Sequence, residues 1–303
     1  MVGLKHIDLD DGWWHAEGLK LDYGRISSSA GRAYARHIFL YMFCMRYFMR
    51  LLLKLCARNE QKDISGEYHK LQGFVYNIIK ESGYRFLHDM PGYKFFCFSN
   101  IFPPGNMKTG DLRNFIISSP NKDLINALAD YLSKLRNMEL YIGDASFTLK
   151  DIQTLEIALP KTNIIVSTAT PIIIRIPETK YDAYQIPENR RMKRYVYWRQ
   201  DIAFPAFLKQ LTENLIKKYN DFYGTEIERY DLFEQFQFIN EIHTRLIING
   251  KSYGVSASIW EFMWGSMDTV QRRVIEFGLD TGFGERNSMG FGFVNPRTTR
   301  KET

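Results

Sequence analysis

The sequence predicts an α+β protein built from two similar halves and closed by a glycine-rich run. Three observations carry that expectation. The chain has 303 residues, room for two domains of ~150 residues each. Hydrophobic residues make up 45% of it and aromatics 15%, enough to bury sizeable cores, which excludes a disordered chain. Segments that alternate with a period of two are interleaved with segments whose apolar residues recur every three or four positions.

Residues 1–44 stand apart. Lys5, Lys20, Arg25, Arg32 and Arg36 balance Asp8, Asp10, Asp11, Glu17 and Asp22, so the net charge of +6 falls on residues 45–303. No period is sustained in them, and they read as a non-conforming N-terminal extension, with translation expected to start at Met45. The apolar run from Ile38 to Cys56 is broken by Arg46, Arg50 and Lys54. A membrane-spanning helix needs about 20 nearly uninterrupted apolar residues, so no membrane segment is expected. Three cysteines, Cys44, Cys56 and Cys97, make no disulfide framework and point to a reducing cytoplasm.

The first regular element is a strand over Arg46–Leu55. Tyr47, Met49, Leu51, Leu53 and Leu55 share one face, while Arg46, Phe48, Arg50, Leu52 and Lys54 share the other, the pattern of a strand covered on one side. The second face is either solvated or a surface for phosphates and bases. A helix over Glu67–Lys80 carries the stripe Leu71, Phe74, Val75, Ile78 and Ile79, with Tyr76 off the stripe and therefore beside the core. Ser82-Gly83 ends it. A turn at Met90-Pro91-Gly92 leads to a strand over Lys94–Phe102, and another follows at Asp111–Ser118. Leu124, Ile125, Leu128, Leu132 and Leu135 mark a second helix, and Phe147–Leu159 a last strand. The order strand, helix, strand, strand, helix, strand is the ferredoxin-like one.

The second half repeats the scheme. A β-branched stretch over Asn163–Ile176 reads as a strand with Pro171 at a bulge or edge. Leu208, Leu211, Leu215, Ile216 and Tyr219 mark a helix, and two strands, Glu234–Asn249 and Lys251–Trp260, meet at the hairpin signal Asn249-Gly250. A helix over Asp268–Phe277 precedes the glycine-rich end. The boundary near Pro160 divides the chain into ferredoxin-like domains at 45–160 and 161–303.

The C-terminal run is Gly282-Phe283-Gly284-Glu285-Arg286-Asn287-Ser288-Met289-Gly290-Phe291-Gly292. Glycines permit the positive φ angles and close backbone approach that a phosphate-cradling loop needs. The run is neither a Walker loop nor a dinucleotide fingerprint, since the required lysine and flanking elements are missing. Arg272, Arg273 and Arg286 flank it as candidate phosphate contacts. Arg190, Arg191, Lys193, Arg194 and Arg199, interleaved with Tyr195, Tyr197 and Trp198, are a second basic and aromatic cluster. No two histidines stand at i, i+4, which disfavours a metal-dependent nuclease, and His69 and His243 read as structural. Ser99 and Cys97 lack a nearby base.

Two Gly-Phe-Gly triplets five residues apart, behind a helix and close to the C-terminus, resemble the signature loop of the CRISPR-associated endoribonucleases of the Cas six family, in the RAMP superfamily. Met45-Arg46-Tyr47-Phe48-Met49-Arg50-Leu51 is similar to the family's opening strand, and Leu71–Lys80 to its first helix. Leu87-His88 followed by Tyr93–Ser99 resembles its catalytic turn and next strand. The resemblance spans residues 45–295. It implies a tandem of ferredoxin-like, RRM-type domains, and a metal-independent endoribonuclease, without cofactor, that cuts precursor CRISPR RNA within repeats. The catalytic positions it implies are His88, with Tyr76 and Lys94 as partners. Contacts to RNA are expected from Gly282, Gly284, Arg286, Gly290, Gly292, Arg272, Arg273, Arg46 and Arg50.

RNA carries its own nucleophile, the 2′-hydroxyl. An imidazole, with an unperturbed pKa of about 6.5, exchanges its proton near neutrality. Tyr76 is expected to orient or deprotonate that hydroxyl if its neighbours lower its pKa, and Lys94 to offset the charge on the phosphorane. The expected products are a 2′,3′-cyclic phosphate and a 5′-hydroxyl. The partners implied are CRISPR repeat RNA and a CRISPR interference complex, with the chain a monomer or homodimer. The alternative is a non-cleaving repeat-binding subunit of the same fold.

Overall fold

The computed structural model describes residues 13–16, 19–22, 48–228, 231–248 and 250–297. Residues 1–47 and 48–303 form two separate units. In the first, the description covers a short antiparallel hairpin, Trp13–Ala16 with Leu19–Asp22. Met45 and Arg46 lie outside the described residues.

Leu51, Leu53 and Leu55 are fully buried on one face of β1 (Phe48–Ala57). Their period-two spacing puts three large side chains on one side of a pleated strand, and that side must be covered. The cover is α1 (Tyr68–Ile79) and α3 (Lys122–Lys134), which contribute Leu71, Val75, Ile78, Leu124, Leu128 and Leu132 to the same core. Asn121 caps α3 by accepting a hydrogen bond from the Leu124 backbone N–H. Between these helices lie a short helix, α2 (Phe86–Asp89), and β2 (Cys97–Phe98). β3 (Leu112–Ser118) precedes α3, and a hairpin of β4 (Glu139–Ile142) and β5 (Ala145–Ile157) follows it. The sheet order is β2-β3-β1-β5-β4, antiparallel throughout.

The expected strand over Lys94–Phe102 is only Cys97–Phe98. Phe95 takes φ 50°, which breaks the extended run and leaves residues 90–96 as a loop. β4 was not expected, although Gly143, at φ 59°, supplies its turn.

The second half begins with β6 (Thr162–Thr168), and Pro160 lies in the connection from β5. The β-branched stretch 163–176 is not one strand. It breaks around Pro171, which has no N–H to donate to a ladder, and resumes as β7 (Arg175–Pro177), paired instead with β8 (Tyr195–Tyr197). α4 (Phe204–Tyr223), the hairpin β9 (Gln235–Ile248) and β10 (Lys251–Ser266), α5 (Thr269–Thr281) and β11 (Val294–Pro296) complete it. The sheet order is β9-β10-β6-β11. In each half the four principal strands run second, third, first, fourth, so the unit is a tandem of ferredoxin-like folds. Phe207, Leu211, Leu215, Trp260, Phe262 and Val274 fill the second core.

The second face of β1 is not a solvated or ligand-binding surface at Arg50. Arg50 is 0% exposed. Its guanidinium donates to Leu279 O at 2.9 Å, to Val294 O at 2.8 Å and to Asn295 Oδ1, and lies 4.6 Å from the centre of the Phe293 ring. Ser118 donates to Asp280 Oδ1 at 3.1 Å, and the Cys97 thiol to Asp280 O at 3.3 Å, in the same seam. The expectation that Arg50 meets RNA is therefore corrected: a guanidinium sealed from water holds the two halves together and cannot also reach a phosphate.

Arg50→Met should lower stability by about 3 kcal/mol in urea unfolding, because two buried carbonyls and the half-buried Asn295 amide lose their donor. RNA affinity of the folded variant stays unchanged. Normal stability with weakened RNA binding would restore the phosphate role.

Candidate active site

Tyr76 sits on α1 one step off the apolar stripe and packs against the edge of the first core. Its ring meets the His88 ring edge-on, with centroids 5.3 Å apart at 80°, and the Phe96 ring at 5.6 Å. Burial pushes the Tyr76 phenol above its ordinary pKa, while its hydrogen bond with the Ser288 side chain opposes the shift. Its neighbours do not produce the lowered pKa that a tyrosine base requires, and Tyr76 stays protonated across the neutral range.

His88 reaches the surface because the helix carrying Tyr76 is interrupted. After α1 a wide turn spans Lys80–Tyr84, and Gly83 at φ 89° redirects the chain into α2. The His88 side chain is 69% exposed, with Nδ1 2.7 Å from Asp89 Oδ1. That contact fixes the donor proton on Nδ1 and leaves Nε2 for proton exchange. The hydrogen bond from His88 holds the Asp89 carboxyl below the usual carboxylate range. Lys94 donates from Nζ to His88 O at 3.0 Å and to Met90 O, closing the carbonyl end of α2 as a lysine near a helix C-terminus does. Burial draws Lys94 below the usual lysine range, with Asp89 opposing. So His88, Tyr76 and Lys94 converge, but Lys94 is first a clamp on the turn that presents His88.

Lys94 and Ser288 also line a cavity of about 610 Å³ between the two halves. Lys180, Arg194, Lys217 and Arg286 line it too, against Glu213 and Glu285. Glu285 pairs with Arg175 and Glu213 with Lys180. The Arg175 guanidinium lies 4.7 Å from the Tyr195 ring centre. Tyr195 is drawn below its ordinary pKa, first by its hydrogen bond with Tyr197 and then by Arg175 and Arg286. The cavity is thus a cationic, aromatic-edged cleft suited to an anionic polymer.

Gly282, Gly284, Gly290 and Gly292 all have positive φ and are all buried. A side chain at any of the four would collide with the protein itself. A Cβ on Gly292 would lie 1.9 Å from Phe283 O, and one on Gly290 2.7 Å from Phe98. The backbone N–H groups of Phe283 and Gly292 are spent on Gly292 O and Pro171 O. Gly282 and Gly292 let the two arms of the loop touch, Gly290 lets Phe98 and Tyr68 approach it, and Gly284, close against Ile173 O, also lines the cavity.

Arg272 donates to Leu159 O, Pro160 O and Lys161 O and pairs with Glu276. It staples the connection between the halves rather than facing the cavity. Arg273 is half-buried, with Nε lacking a hydrogen-bond partner among the described residues, and is likewise absent from the cavity lining. Of the three flanking arginines, Arg286 alone lines the cavity. In the second basic cluster Arg190 pairs with Asp201, Arg191 with Asp182 and Arg199 with Glu241, while Trp198 is buried against Phe207 and Trp260.

A family model described as CRISPR associated protein Cas6, C-terminal, matches residues 154–296. The CRISPR-associated endoribonuclease Cas6 2 of Methanocaldococcus jannaschii is 27% identical over 255 residues, covering 82% of this chain and 99% of that one. The CRISPR-associated endoribonuclease Cas6 of Haloferax mediterranei is 29% identical over 260 residues, covering 82% and 93%. A solved structure titled CRISPR associated protein Cas6 superposes with a TM-score of 0.61 at 27% identity, over 83% of this chain and 100% of that chain. The chain belongs to the Cas6 family.

Several residues of this Cas6 site escaped sequence reasoning. Asp89, Asn287 and Ser288 carry no local pattern. Lys218 did leave a signal: it continues the apolar series Leu211, Leu215 along α4, where a lysine has no place on amphipathic grounds. It is 2% exposed, and its Nζ donates to Gly282 O, Gly284 O and Asn287 Oδ1 at 2.6, 3.2 and 3.0 Å. Among the described residues no group of three or more His, Cys, Asp or Glu is arranged to hold a metal ion, and no helix is long and apolar enough to cross a membrane.

Gly292→Ala should cost about 3 kcal/mol or more in urea unfolding, from steric conflict and left-handed strain together. Gly66→Ala is the control. It shares a positive φ, but its added Cβ has no atom within 4 Å, so only about 1–2 kcal/mol is lost.

Proposed function

We propose that this Cas6 family member is an endoribonuclease that cuts precursor CRISPR RNA within its repeats, without a metal ion, leaving a 2′,3′-cyclic phosphate and a 5′-hydroxyl. The observation that carries the reading is the exposed His88 imidazole. It is oriented by Asp89, edged by Tyr76, and set on a turn whose clamp, Lys94, also lines the cationic cleft. The names of the curated relatives, CRISPR-associated endoribonucleases, support the same reading.

In this reading His88 Nε2 takes the 2′-hydroxyl proton, O2′ attacks phosphorus, the P–O5′ bond breaks, and O5′ takes a proton from solvent. Tyr76, kept protonated by burial, serves as a hydrogen-bond donor and not as a base. Arg286 and Lys94 supply positive charge near the phosphorane. The substrate strand follows the cleft between the two ferredoxin-like domains, divided near Pro160. The cysteine usage supports a cytoplasmic enzyme.

The test is purified chain with a labelled RNA carrying a CRISPR repeat, in EDTA. Cleavage is expected, and a 2′-deoxy substitution at the nucleotide before the cut abolishes it. His88→Ala should bind the RNA normally and cut about 10²–10⁴-fold more slowly. Tight binding by the wild type without product would identify a non-cleaving subunit, and loss of cutting in EDTA a metal enzyme.

Tyr76→Phe gives a second prediction. Removing a donor lowers the single-turnover rate about tenfold, but the pH–rate profile from about pH 6 to pH 9 keeps its shape, because the phenol does not titrate there. A limb of the profile that disappears in Tyr76→Phe would reinstate tyrosine as the base.

A further inference from the structure

Lys218 lies on α4 of the second half, whereas Tyr76 and His88 lie in the first, yet an unbroken run of contacts joins them. The Lys218 ammonium has three protons, and three acceptors face it: Gly282 O, Gly284 O and Asn287 Oδ1. The other end of the Asn287 amide donates to Phe283 O at 3.1 Å and to Phe291 O at 2.9 Å. Asn287 therefore ties the first Gly-Phe-Gly to the second. Its sequence neighbour, Ser288, holds the hydrogen bond with Tyr76, and Tyr76 meets His88 edge-on.

We propose that Lys218 is a positioning residue for RNA cleavage: by fixing Asn287 it sets Ser288 against Tyr76 and so places the tyrosine beside His88. This rests on the reading of the chain as a ribonuclease. A loop rich in glycine has little stiffness of its own, so the register of Ser288 comes from the side chains that pin it. Lys218 is the pin from the helix side: although it borders the cleft, its Nζ protons are directed at the loop's three acceptors.

The charge on Lys218 enters the argument through those three acceptors. A neutral amine has two N–H donors and leaves one carbonyl facing a lone pair. Burial draws the Lys218 pKa down to about 7. Of the titratable groups around it, the Cys97 thiol of β2 is pushed up to about 12 and stays uncharged, while Glu285 of the loop is engaged with Arg175. The tie is therefore at full strength below pH 7 and weakens as pH rises past it.

The test is a double-mutant cycle on single-turnover cleavage of a labelled CRISPR-repeat RNA, with Lys218→Met and Ser288→Ala. Each single variant should lower kcat about tenfold with KM nearly unchanged, and the double variant should lose little more than either single one, since both cut the same chain. The ratio of wild-type to Lys218→Met rates should also shrink between about pH 7 and pH 9, as wild-type Lys218 itself loses its proton. Additive losses, a KM effect alone, or a ratio constant with pH would overturn the proposal. If Lys218→Met does not fold, the cycle is run with Ser288→Ala and Tyr76→Phe, where additivity again overturns it. A wild-type chain that binds but never cuts refutes the ribonuclease reading. A wild type that cuts, with both variants cutting at the same kcat, refutes the role of Lys218 alone.

Discussion

Backbone carbonyls buried where two domains pack must find donors, and in this protein two buried cations supply them. Arg50 serves Leu279 O and Val294 O, and Lys218 serves Gly282 O and Gly284 O. The chain from the end of α5 to β11 leaves regular structure for a run of positive-φ glycines, so its own ladder cannot satisfy these groups. An unpaired buried carbonyl costs about 1–3 kcal/mol. Replacing either cation by an apolar side chain would leave several such groups at once. The buried cations thus make a tight glycine-rich loop compatible with a dry interface.

The consequence for the site is that its parts belong to different halves and are in register only when the seam is closed. α1 and α2 supply Tyr76 and His88, while the loop supplies Ser288 and Arg286. Tyr68 packs against Phe291 with ring centroids 4.3 Å apart and planes tilted by 33°, and Gly290 has room for no side chain against Phe98. Apolar contact thereby presses the loop against the start of α1 and against β2. Aromatic packing sets how close the halves come, and hydrogen bonds to Asn287 and Ser288 set which atoms face each other.

Net charge gives little guidance to where an anion would sit. Most arginines that look exposed in the sequence are engaged: Arg190, Arg191 and Arg199 in ion pairs, Arg272 on backbone carbonyls, Arg50 in the seam. What remains around the cleft is a smaller set, Lys217, Arg194 and Arg286 among them, next to Lys94. Exposed ion pairs such as Arg190–Asp201 and Arg191–Asp182 are worth at most about 1 kcal/mol each, so a polyanion can exchange partners with them at modest cost.

Local periodicity alone determined much of this protein. Buried Leu51, Leu53 and Leu55, the α1 stripe and most of the strand-helix order follow from side-chain spacing, because burial of one face needs no knowledge of what covers it, whereas β4, the β7–β8 pair and the closing strand β11 were not legible there. The long β9–β10 hairpin was legible at Asn249-Gly250 for the same reason. His88 was singled out only through the resemblance of its flanking segments to a known family, because no local spacing marks a lone histidine. Which cation faces water was decided only by tertiary structure. Arg50 reads as the outer face of a half-covered strand until a second domain closes over it, and Lys218 reads as a helix residue until the loop's carbonyls surround it. The glycines reveal permitted backbone angles in sequence but not whose atoms come close. Those outcomes depend on contacts between residues up to 245 positions apart, where sequence spacing carries no information about distance.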